Sequence, residues 1–419
     1  MQTNDFSNLP TSWQIKTLGE VLNYEQPTKY IVKSTKYNDS YKTPVLTAGK
    51  SFILGYTDEL EGIFTQIPVI IFDDFTTDTK FVDFKFKVKS SAMKILHSKE
   101  NADIKFIYYF MQTIRHRSDT HKRYWISEYA KIKIPLPPLE IQKRIVARLE
   151  SAFEKIEKGS AHLQNAKTKL AKYKQSLLKS AFDGTLTAAS LQGVEKAETI
   201  HKVDCHDLTS SNLAMTDKEN PKLPQGWTIK TLGEVCEITM GQSPLGEKVI
   251  NKKQNTNSKA LEFHQGKICF TDKFITESEV VTTDIRKVAQ SNSILLCVRA
   301  PVGVINITQR QIAIGRGLCA LNFKDKNSNN DFLYFYLLTL KNYFNEKATG
   351  STFSAINLDT IKNTKIPLPP LETQKQIVKL LEKHLQHADK TGEFIESALN
   401  KAKQLKQSLL KSAFAGELV

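Results

Sequence analysis

The chain has 419 residues, of which 59 are lysine or arginine and 44 are aspartate or glutamate, so its formal net charge is +15. This length exceeds one ordinary domain, and 40% hydrophobic residues suffice for real cores, so two or three domains are expected. Five cysteines without a CxxC pair exclude a disulfide framework and a zinc ribbon and indicate a reducing, cytoplasmic setting. The N-terminal residues and the strand-sized apolar runs predict neither a signal peptide nor a transmembrane helix.

Three sequence boxes occur twice along the chain. LPTSWQIKTLGEV at 9–21 recurs as LPQGWTIKTLGEV at 223–235, KIPLPPLE at 133–140 recurs at 365–372, and KQSLLKSAF at 174–182 recurs at 406–414. Identities of this length indicate an internal duplication. The sequence therefore predicts two copies of one plan, and we call residues 9–182 the first copy and residues 223–414 the second copy.

Each copy contains a variable segment, at residues 23–131 and 237–363. β-Branched and aromatic residues dominate stretches such as 68–72, 81–88 and 293–298, which predicts strands. Each segment closes with an apolar helix, over 103–114 or 331–340, with an Asp at the predicted N-cap. We therefore expect an α+β fold with two β-rich domains, at residues 1–138 and 223–370.

A long helix is predicted after the proline pair of each copy, over 139–182 and 371–414. Apolar residues recur at every seventh position, at Leu149, Ile156, Leu163, Leu170 and Leu177 and again at Leu381, Ala388, Ile395, Ala402 and Leu409. Such a seam requires a partner helix, so we expect two antiparallel coiled-coil helices of ~65 Å, related by a pseudo-two-fold axis and separating the domains. The alternative is that each helix folds back on its own domain. We assign 139–186 and 371–419 as spacers and the residues between the copies, 187–222, as a connector.

Motifs for catalysis are missing from the sequence. It has no phosphate-binding GxxxxGK[ST] loop, no dinucleotide fingerprint, no amino-methyltransferase Asp/Asn-Pro-Pro-Tyr/Phe box and no GxSxG elbow. Asp73, Asp74, Asp83 and Lys85 have the residue types of a metal-dependent nuclease, and His201 with His206 could ligate a metal. Asp83 and Lys85 lie in a stretch with the pleating of an ordinary strand and have no counterpart in the second copy, and the histidines lack a partner cluster, so we predict no catalytic residue and no metal ligand.

In combination and order, the repeated boxes resemble those of the specificity subunit of type I DNA restriction-modification systems, which defend cells against foreign DNA. The resemblance rests on the LPxxW…LGE entry, the IPLPPLExQK exit and the LLKSAF close, and it covers nearly the full length. It implies two target recognition domains that each read one half of a bipartite, asymmetric DNA site, with the long helices setting the gap.

The resemblance also implies the partners of the chain. They would be double-stranded DNA, two adenine-N6 methyltransferase subunits that use S-adenosylmethionine, and restriction subunits that translocate and cleave with ATP and Mg. The chain itself would be non-catalytic, would bind no cofactor and would have no membrane contact. An excess of positive charge that is spread over both domains and both helices fits a DNA partner.

Candidate DNA-contacting residues are basic, amide, hydroxyl and aromatic side chains within the variable segments, because such groups hold phosphates and reach base edges. In the first domain they are Lys50, Thr76, Thr77, Arg115, Arg117, Lys122, Arg123 and Tyr124; in the second they are Gln242, Ser243, His264, Gln265, Lys267, Arg286, Arg299, Arg310, Arg316, Ser351 and Thr352. The alternative function is a coiled-coil scaffold protein whose positive charge only keeps it soluble.

Overall fold

The structure is a computed structural model that describes residues 9–47, 51–114, 123–186, 223–325, 328–350 and 354–418. Outside these ranges lie the connector with His201 and His206, and the candidates Lys50, Arg115, Arg117, Lys122, Ser351 and Thr352. Internal contacts divide the chain into a first unit, Met1–Asn165 with Ile395–Val419, and a second unit, Ala166–Phe394.

The first unit is built around a four-stranded antiparallel sheet of order β2-β8-β5-β6, beside a three-stranded sheet of order β4-β3-β7. Its strands are β1 (Gln14–Thr17), β2 (Leu22–Glu25), β3 (Thr43–Leu46), β4 (Ile53–Thr57), β5 (Val69–Asp73), β6 (Thr79–Val82), β7 (Lys87–Val88), β8 (Met93–Ser98) and β9 (Lys133–Leu136). Its helices are α1 (Leu18–Val21), α2 (Ile104–Met111), α3 (Tyr124–Ser127) and the start of α4 (Leu139–Phe182), with 3-10 turns at Pro27–Tyr30 and Tyr129–Lys131.

Both faces of the central strand β5 are buried, which explains its continuous apolar sequence. Ile70 and Phe72 pack with helix α2 on one face, whereas Val69 and Ile71 pack with the three-stranded sheet on the other. The single strand predicted over 81–88 is wrong, because the chain leaves the first sheet after Val82 and enters the second at Lys87.

The second unit repeats the central sheet, in the order β11-β19-β16-β17, and carries a second sheet of five strands instead of three. Its strands are β10 (Thr228–Thr231), β11 (Cys236–Met240), β12 (Val249–Asn251), β13 (Leu261–His264), β14 (Val280–Thr282), β15 (Val288–Ala289), β16 (Ile294–Cys297), β17 (Ile305–Ile307), β18 (Ile312–Ile314), β19 (Leu318–Phe323) and β20 (Lys365–Leu368). Its helices are α5 (Leu232–Val235), α6 (Asn330–Thr339), α7 (Lys341–Lys347), α8 (Leu358–Lys362) and the start of α9 (Leu371–Phe414), with 3-10 turns at Gly246–Lys248, Lys252–Gln254 and Lys267–Cys269.

The repeated entry and exit boxes pair with each other in both units. Strand β1 lies antiparallel to β9, and β10 lies antiparallel to β20 in the same register. After each entry strand a capping box begins a one-turn helix: the Thr17 backbone N–H donates to Glu20 Oε2 (2.6 Å), and Thr231 does the same to Glu234. The boxes are therefore the frame that holds the two ends of each variable segment together.

The long helices α4 and α9 contain 44 residues each, over the ranges predicted. In the first unit Lys406 pairs with Glu157 (2.7 Å), and in the second Tyr173 bonds His384 (3.3 Å) and Lys174 pairs with Asp389. In the first unit Arg148 also bonds the Leu418 carbonyl (3.0 Å), so the partner position falls from 418 to 406 as α4 runs from 148 to 157. In the second unit a Cβ atom on Gly392 would lie 3.6 Å from Leu170, so the partner position falls from 392 to 384 as α4 runs from 170 to 173. The segments therefore run antiparallel, as predicted. All ten seam residues are buried or half-buried.

Each long helix ends in the core of the unit that contains the other copy's sheets. Phe182 at the end of α4 packs against Phe332 and Tyr336 of α6, with ring centroids 5.2 Å apart in both pairs. Phe414 at the end of α9 packs against Phe106 (5.0 Å) and Phe110 (5.2 Å) of α2. The alternative in which each helix packs only on its own domain is therefore excluded.

A buried glutamine joins the first turn of each long helix to its own domain. Gln142 Oε1 accepts from Asp103 N–H (2.7 Å), and its Nε2 donates to the Pro137 and Asn101 carbonyls (2.7 and 3.0 Å). Gln374, at the same place in the repeat, accepts from Asn329 N–H (2.9 Å) and donates to the Pro369 carbonyl (2.8 Å). The repeated PPLExQ box therefore fixes the helix at its origin, which sequence reasoning missed.

Candidate nucleic-acid interface

Several candidate residues of each unit adjoin the same corner of the repeated central sheet. In the first unit the Asp74 backbone bonds Ala92 (3.2 Å) and Tyr124 (3.0 Å); in the second the Val298 backbone bonds Gly317 (3.0 Å) and Ile356 (3.0 Å). Asp74 and Val298 therefore occupy equivalent positions, each just beyond the central strand. Thr76, Thr77 and Arg123 adjoin this corner in the first unit, as Arg299 and Arg316 do in the second.

In the second unit this corner forms a cleft of about 240 Å³. We call it the basic cleft; its lining residues are Gln265, Gly266, Lys267, Cys297, Arg299, Ala300, Pro301, Arg316 and Gly317. Ser243 adjoins it, because its hydroxyl donates to Gln265 Oε1 (3.0 Å) and accepts from Arg316 N–H (3.4 Å). Gln242, which is exposed, precedes Ser243 and donates its backbone N–H to the Ile314 carbonyl (3.0 Å). Six of the predicted residues thus come together from four separate segments.

Three glycines allow these segments to approach so closely. A Cβ atom on Gly315 would lie 2.1 Å from Gln265 Oε1, one on Gly317 would lie 2.3 Å from the Gln265 carbonyl oxygen, and one on Gly241 would lie 2.1 Å from the Gly315 carbonyl oxygen. A side chain at Gly317 or Gly241 would displace backbone of the cleft, and one at Gly315 would displace the side chain of Gln265. Sequence reasoning singled out neither Gly315 nor Gly317, although a Gly-Arg-Gly triplet around a candidate arginine was a usable signal.

Hydrogen-bond partners separate the four candidate arginines of the second unit into two pairs. Arg286 bonds Asp284 (2.7 Å), and Arg310 holds both carboxylate oxygens of Glu262 (2.7 and 2.6 Å). Arg299 and Arg316 are exposed, and within the described ranges no carboxylate pairs with them or with Lys267. The basic cleft therefore carries cationic charge that the described part of the fold leaves uncompensated.

His264 occupies a structural position instead of an exposed one. Its side chain is 2% exposed, and its Nε2 lies 2.6 Å from Glu262 Oε1. Burial lowers the pKa of His264, against the opposing effect of the Glu262 carboxylate. Since it reaches no surface, the prediction that His264 contacts DNA is corrected: it braces the end of β13, from which Gln265 and Lys267 follow.

Glu262 is the centre of this brace. Burial alone would raise the pKa of Glu262, but hydrogen bonds from Arg310, the Ser278 backbone N–H and His264 lower it to about 2. The carboxylate is therefore ionised at neutral pH, and it ties β13 to the start of β18 and to the 276–278 segment. Because the Arg310 guanidinium makes this contact, Arg310 supports the strand that leads to the basic cleft and is not one of the residues that line it.

In the first unit the corner is a hydroxyl-rich turn after β5. The Asp73 carboxylate accepts from Phe75 N–H (2.9 Å) and from the Thr76 hydroxyl (2.7 Å), and Thr77 adopts the left-handed conformation (φ 65°). Thr76 and Arg123 are exposed. Tyr124 is 2% exposed and lies in the core, so the prediction that it contacts DNA is corrected.

Two of the acidic residues considered for a nuclease, Asp73 and Asp74, are held by contacts within the fold. Asp74 accepts from the Trp125 backbone N–H (2.8 Å) and pairs with buried Lys94 (3.3 Å). In the second unit this pair is replaced by Val298 and Cys319 at the equivalent positions, as expected where a buried ion pair and an apolar pair are interchangeable. Within the described residues no group of three potential metal ligands occurs.

The described fold is an internal duplication of one α+β frame, with exposed cationic residues at the sheet corner of the second unit. Residues 10–165 and 224–400 match the family model described as the type I restriction modification DNA specificity domain. The chain belongs to this family. No helix within the described ranges is long and apolar enough to span a membrane.

Several curated relatives carry the same description. The chain is 32% identical over 387 residues to the type I restriction enzyme EcoR124I/EcoR124II specificity subunit of Escherichia coli, covering 87% of this chain and 85% of the relative. It is 30% identical over 288 residues to the putative type I restriction enzyme MjaX specificity subunit of Methanocaldococcus jannaschii, covering 65% and 60%.

Solved structures also share the fold. One, described as the basis of complex assembly and conformational transition of the type I R-M system, matches with a TM-score of 0.71 at 26% identity, covering 98% of this chain and 99% of that chain. The crystal structure of the HsdS subunit from Thermoanaerobacter tengcongensis matches with a TM-score of 0.57 at 25% identity, over the full length of both.

Proposed function

We propose that this chain reads a bipartite, asymmetric DNA site, with one half of the site contacted by each unit. The observation that carries the proposal is that one sheet corner is built twice with different side chains. The first unit presents Thr76, Thr77 and Arg123 there, and the second presents Gln265, Arg299 and Arg316. A common frame with different contact groups suits the reading of two different half-sites.

The long helices would set the distance between the half-sites. Each is a continuous 44-residue helix, and each is held at both ends, by a buried glutamine at its start and by a buried phenylalanine at its end. A helix that is fixed at both ends has a defined length, which is what a spacer requires.

The chain itself would be non-catalytic and would bind no cofactor. It would assemble with two adenine-N6 methyltransferase subunits, which use S-adenosylmethionine, and with restriction subunits, which use ATP and Mg. The carboxylates of Asp73 and Asp74, which were considered for a nuclease centre, already bond backbone N–H groups and Lys94. We therefore expect no DNA cleavage by the isolated chain with Mg²⁺.

An exchange of the second variable segment tests the two-module proposal. Replacing residues 237–363 with the corresponding segment of a relative should change one half of the methylated sequence, because the ribbon β10-β20 and both long helices are kept. Sequencing of methylated adenines in cells carrying the parent or the hybrid gives the readout. A change in both halves would refute the assignment of one half-site to each unit.

A paired deletion tests the spacer. Removing residues 157–160 together with 402–405, which lie opposite each other near the Glu157–Lys406 pair, shortens both helices by about 6 Å. The gap between the methylated half-sites should change, or assembly should be lost. The control is a four-residue deletion within the connector, which should leave the gap as it was. An unchanged gap with full activity after the paired deletion would refute the spacer.

Salt dependence separates DNA recognition from the coiled-coil scaffold alternative. Phosphate contacts release counterions, so affinity for duplex DNA should fall steeply with salt when the chain is assembled with its methyltransferase partner. A scaffold whose positive charge only maintains solubility would confer no sequence preference on that assembly.

A further inference from the structure

We infer that the basic cleft of the second unit is a seat for a single DNA backbone phosphate, which positions the duplex without reading a base. The inference rests on the proposed function, because it assigns a ligand chemistry to one part of that interface. It also gives a role to three of the predicted residues, Lys267, Arg299 and Arg316.

The cationic donors of the basic cleft come from different segments of the chain. Lys267 follows β13, Arg299 follows β16 and Arg316 precedes β19, so the three cations reach one cleft from three different segments. Gln265 adds a side-chain amide, and its Oε1 already accepts from Ser243, which leaves the Nε2 donor for a ligand. Donors that converge from several sides suit a tetrahedral group with acceptor oxygens, whereas a base edge is planar and presents two adjacent acceptors at most.

The shape of the basic cleft also favours a phosphate. The cleft is a hollow of about 240 Å³, and two of its lining residues, Gly266 and Gly317, have no side chain. Phosphates protrude from the outside of a duplex, whereas base edges lie recessed in the grooves and are reached by protruding side chains. A hollow therefore receives a phosphate more readily than a base edge.

The backbone that carries both arginines of the basic cleft is held by hydrogen bonds. The Gly315 and Gly317 backbones bond His264 (2.8 Å) and Val298 (3.0 Å), and the Ala300 N–H bonds the Ser354 carbonyl (3.2 Å), so both arginines project from backbone that is fixed on each side. Within the described ranges none of the three cations has a carboxylate partner, in contrast to Arg286 and Arg310. The cleft is thus preorganised for an anion that the described fold does not supply.

Two measurements on the chain assembled with its methyltransferase partner test the seat. The first is the salt dependence of affinity for cognate duplex, compared between the parent and a variant with Lys267→Ala, Arg299→Ala and Arg316→Ala together. Because all three groups would neutralise one phosphate, the slope of log K against log salt should fall by about one and not by about three. A fourfold rise in salt would then weaken the variant by a factor about 3.5 times smaller than the factor for the parent.

The second measurement locates the phosphate. A scan of duplexes that each carry one neutral methylphosphonate should find one position, at the half-site of the second unit, that weakens the parent but not the triple variant. The methylated sequence should be the same for both proteins. Lys252→Ala is the matched control, since this lysine of the same unit already bonds Glu277 (2.6 Å), and it should leave the slope and the scan as in the parent. All three replaced side chains are exposed, so thermal unfolding should not change.

Each other outcome overturns the seat. A slope that falls by about three means three separate phosphates, and relaxed sequence preference at one base pair with an unchanged slope means that an arginine reads a base. Unchanged affinity and slope would place the cleft outside the interface. Tight binding of inorganic phosphate without DNA, combined with no methylphosphonate effect, would indicate a site for free phosphate. In all four cases the exchange of 237–363 still decides the proposed function independently.

Discussion

Phe414 offers the sharpest test of how the long helices are anchored. Its ring is 5% exposed and makes edge-to-face contacts with Phe106 and Phe110 of α2. Truncation of a buried phenylalanine to alanine costs about 3–5 kcal/mol, because apolar contacts are lost and a cavity remains. Phe414 lies at the last residue of α9, where the chain can shift to fill part of the space, so we expect Phe414→Ala to cost about 3 kcal/mol.

Hydrogen exchange gives a readout that is specific to the first unit. The informative α2 amides are those that exchange only when the first unit opens. A loss of about 3 kcal/mol in the stability of this unit should speed their exchange about a hundredfold, and the exchange of the α6 amides should stay unchanged. Phe394→Ala is the matched control, because this phenylalanine belongs to the same helix but is 73% exposed, and it should change exchange little. Phe182→Ala should give the reciprocal pattern, with α6 affected and α2 protected. If Phe414→Ala affected α2 no more than Phe394→Ala does, the anchoring argument would be wrong.

Three further substitutions test the frame and the cleft. Gln142→Ala leaves the Asp103 N–H and the Pro137 carbonyl without their partner, so the free energy of unfolding in urea should fall by about 2–4 kcal/mol. The control Gln175→Ala, at an exposed position of the same helix, should lower it by less than about 0.5 kcal/mol, and equal losses would contradict the role given to the buried glutamine. Glu262 has a pKa lowered from 4.5 to about 2, so its contribution to stability is present above about pH 4.5 and is lost as pH falls towards 2. The melting temperature of Glu262→Gln should therefore depend less on pH over this window than that of the parent, and parallel curves would refute the stabilising role of Glu262. Gly317→Ala places a Cβ atom 2.3 Å from the Gln265 carbonyl oxygen and should weaken DNA binding. The control is Gly246→Ala, whose Cβ atom would have no neighbour within 4 Å and should leave the affinity unchanged; similar affinities for the two variants would show that the close approach is dispensable.

The frame could be predicted from the sequence because it is written in local patterns. The seven-residue spacing from Leu149 to Leu177 and the proline pair before Leu139 define helix α4 at both ends, and the duplication supplies its partner. The sequence did not show that Phe182 packs in the core of the second unit and Phe414 in the core of the first. The two boxes that contain these residues are identical, so they give no information on which core each phenylalanine enters. The structure settles this through ring contacts between residues far apart in the chain.

The cleft was predicted only as a set of residue types. Arg299, Arg310 and Arg316 look alike in sequence, and only the fold brings Glu262 to Arg310 from 48 positions away. Tyr124 stands next to exposed Arg123, yet it turns into the core, because α3 buries one face of a single helical turn. Burial and long-range ion pairs thus decided which candidates remain, and both depend on tertiary packing.

The reciprocal anchoring of the helix ends has a consequence for a chain that carries one copy alone. Its terminal LLKSAF box would have no second copy to enter, and its own α2 would lack the phenylalanine that completes the core. In a symmetric homodimer of two such half-length chains, each chain would supply the terminal phenylalanine to the core of the other. This exchange is possible because the boxes at 174–182 and 406–414 are identical. That dimer would present the same corner twice and would suit a palindromic target. Duplication within one polypeptide removes this constraint, so that each half of the target is free to diverge from the other.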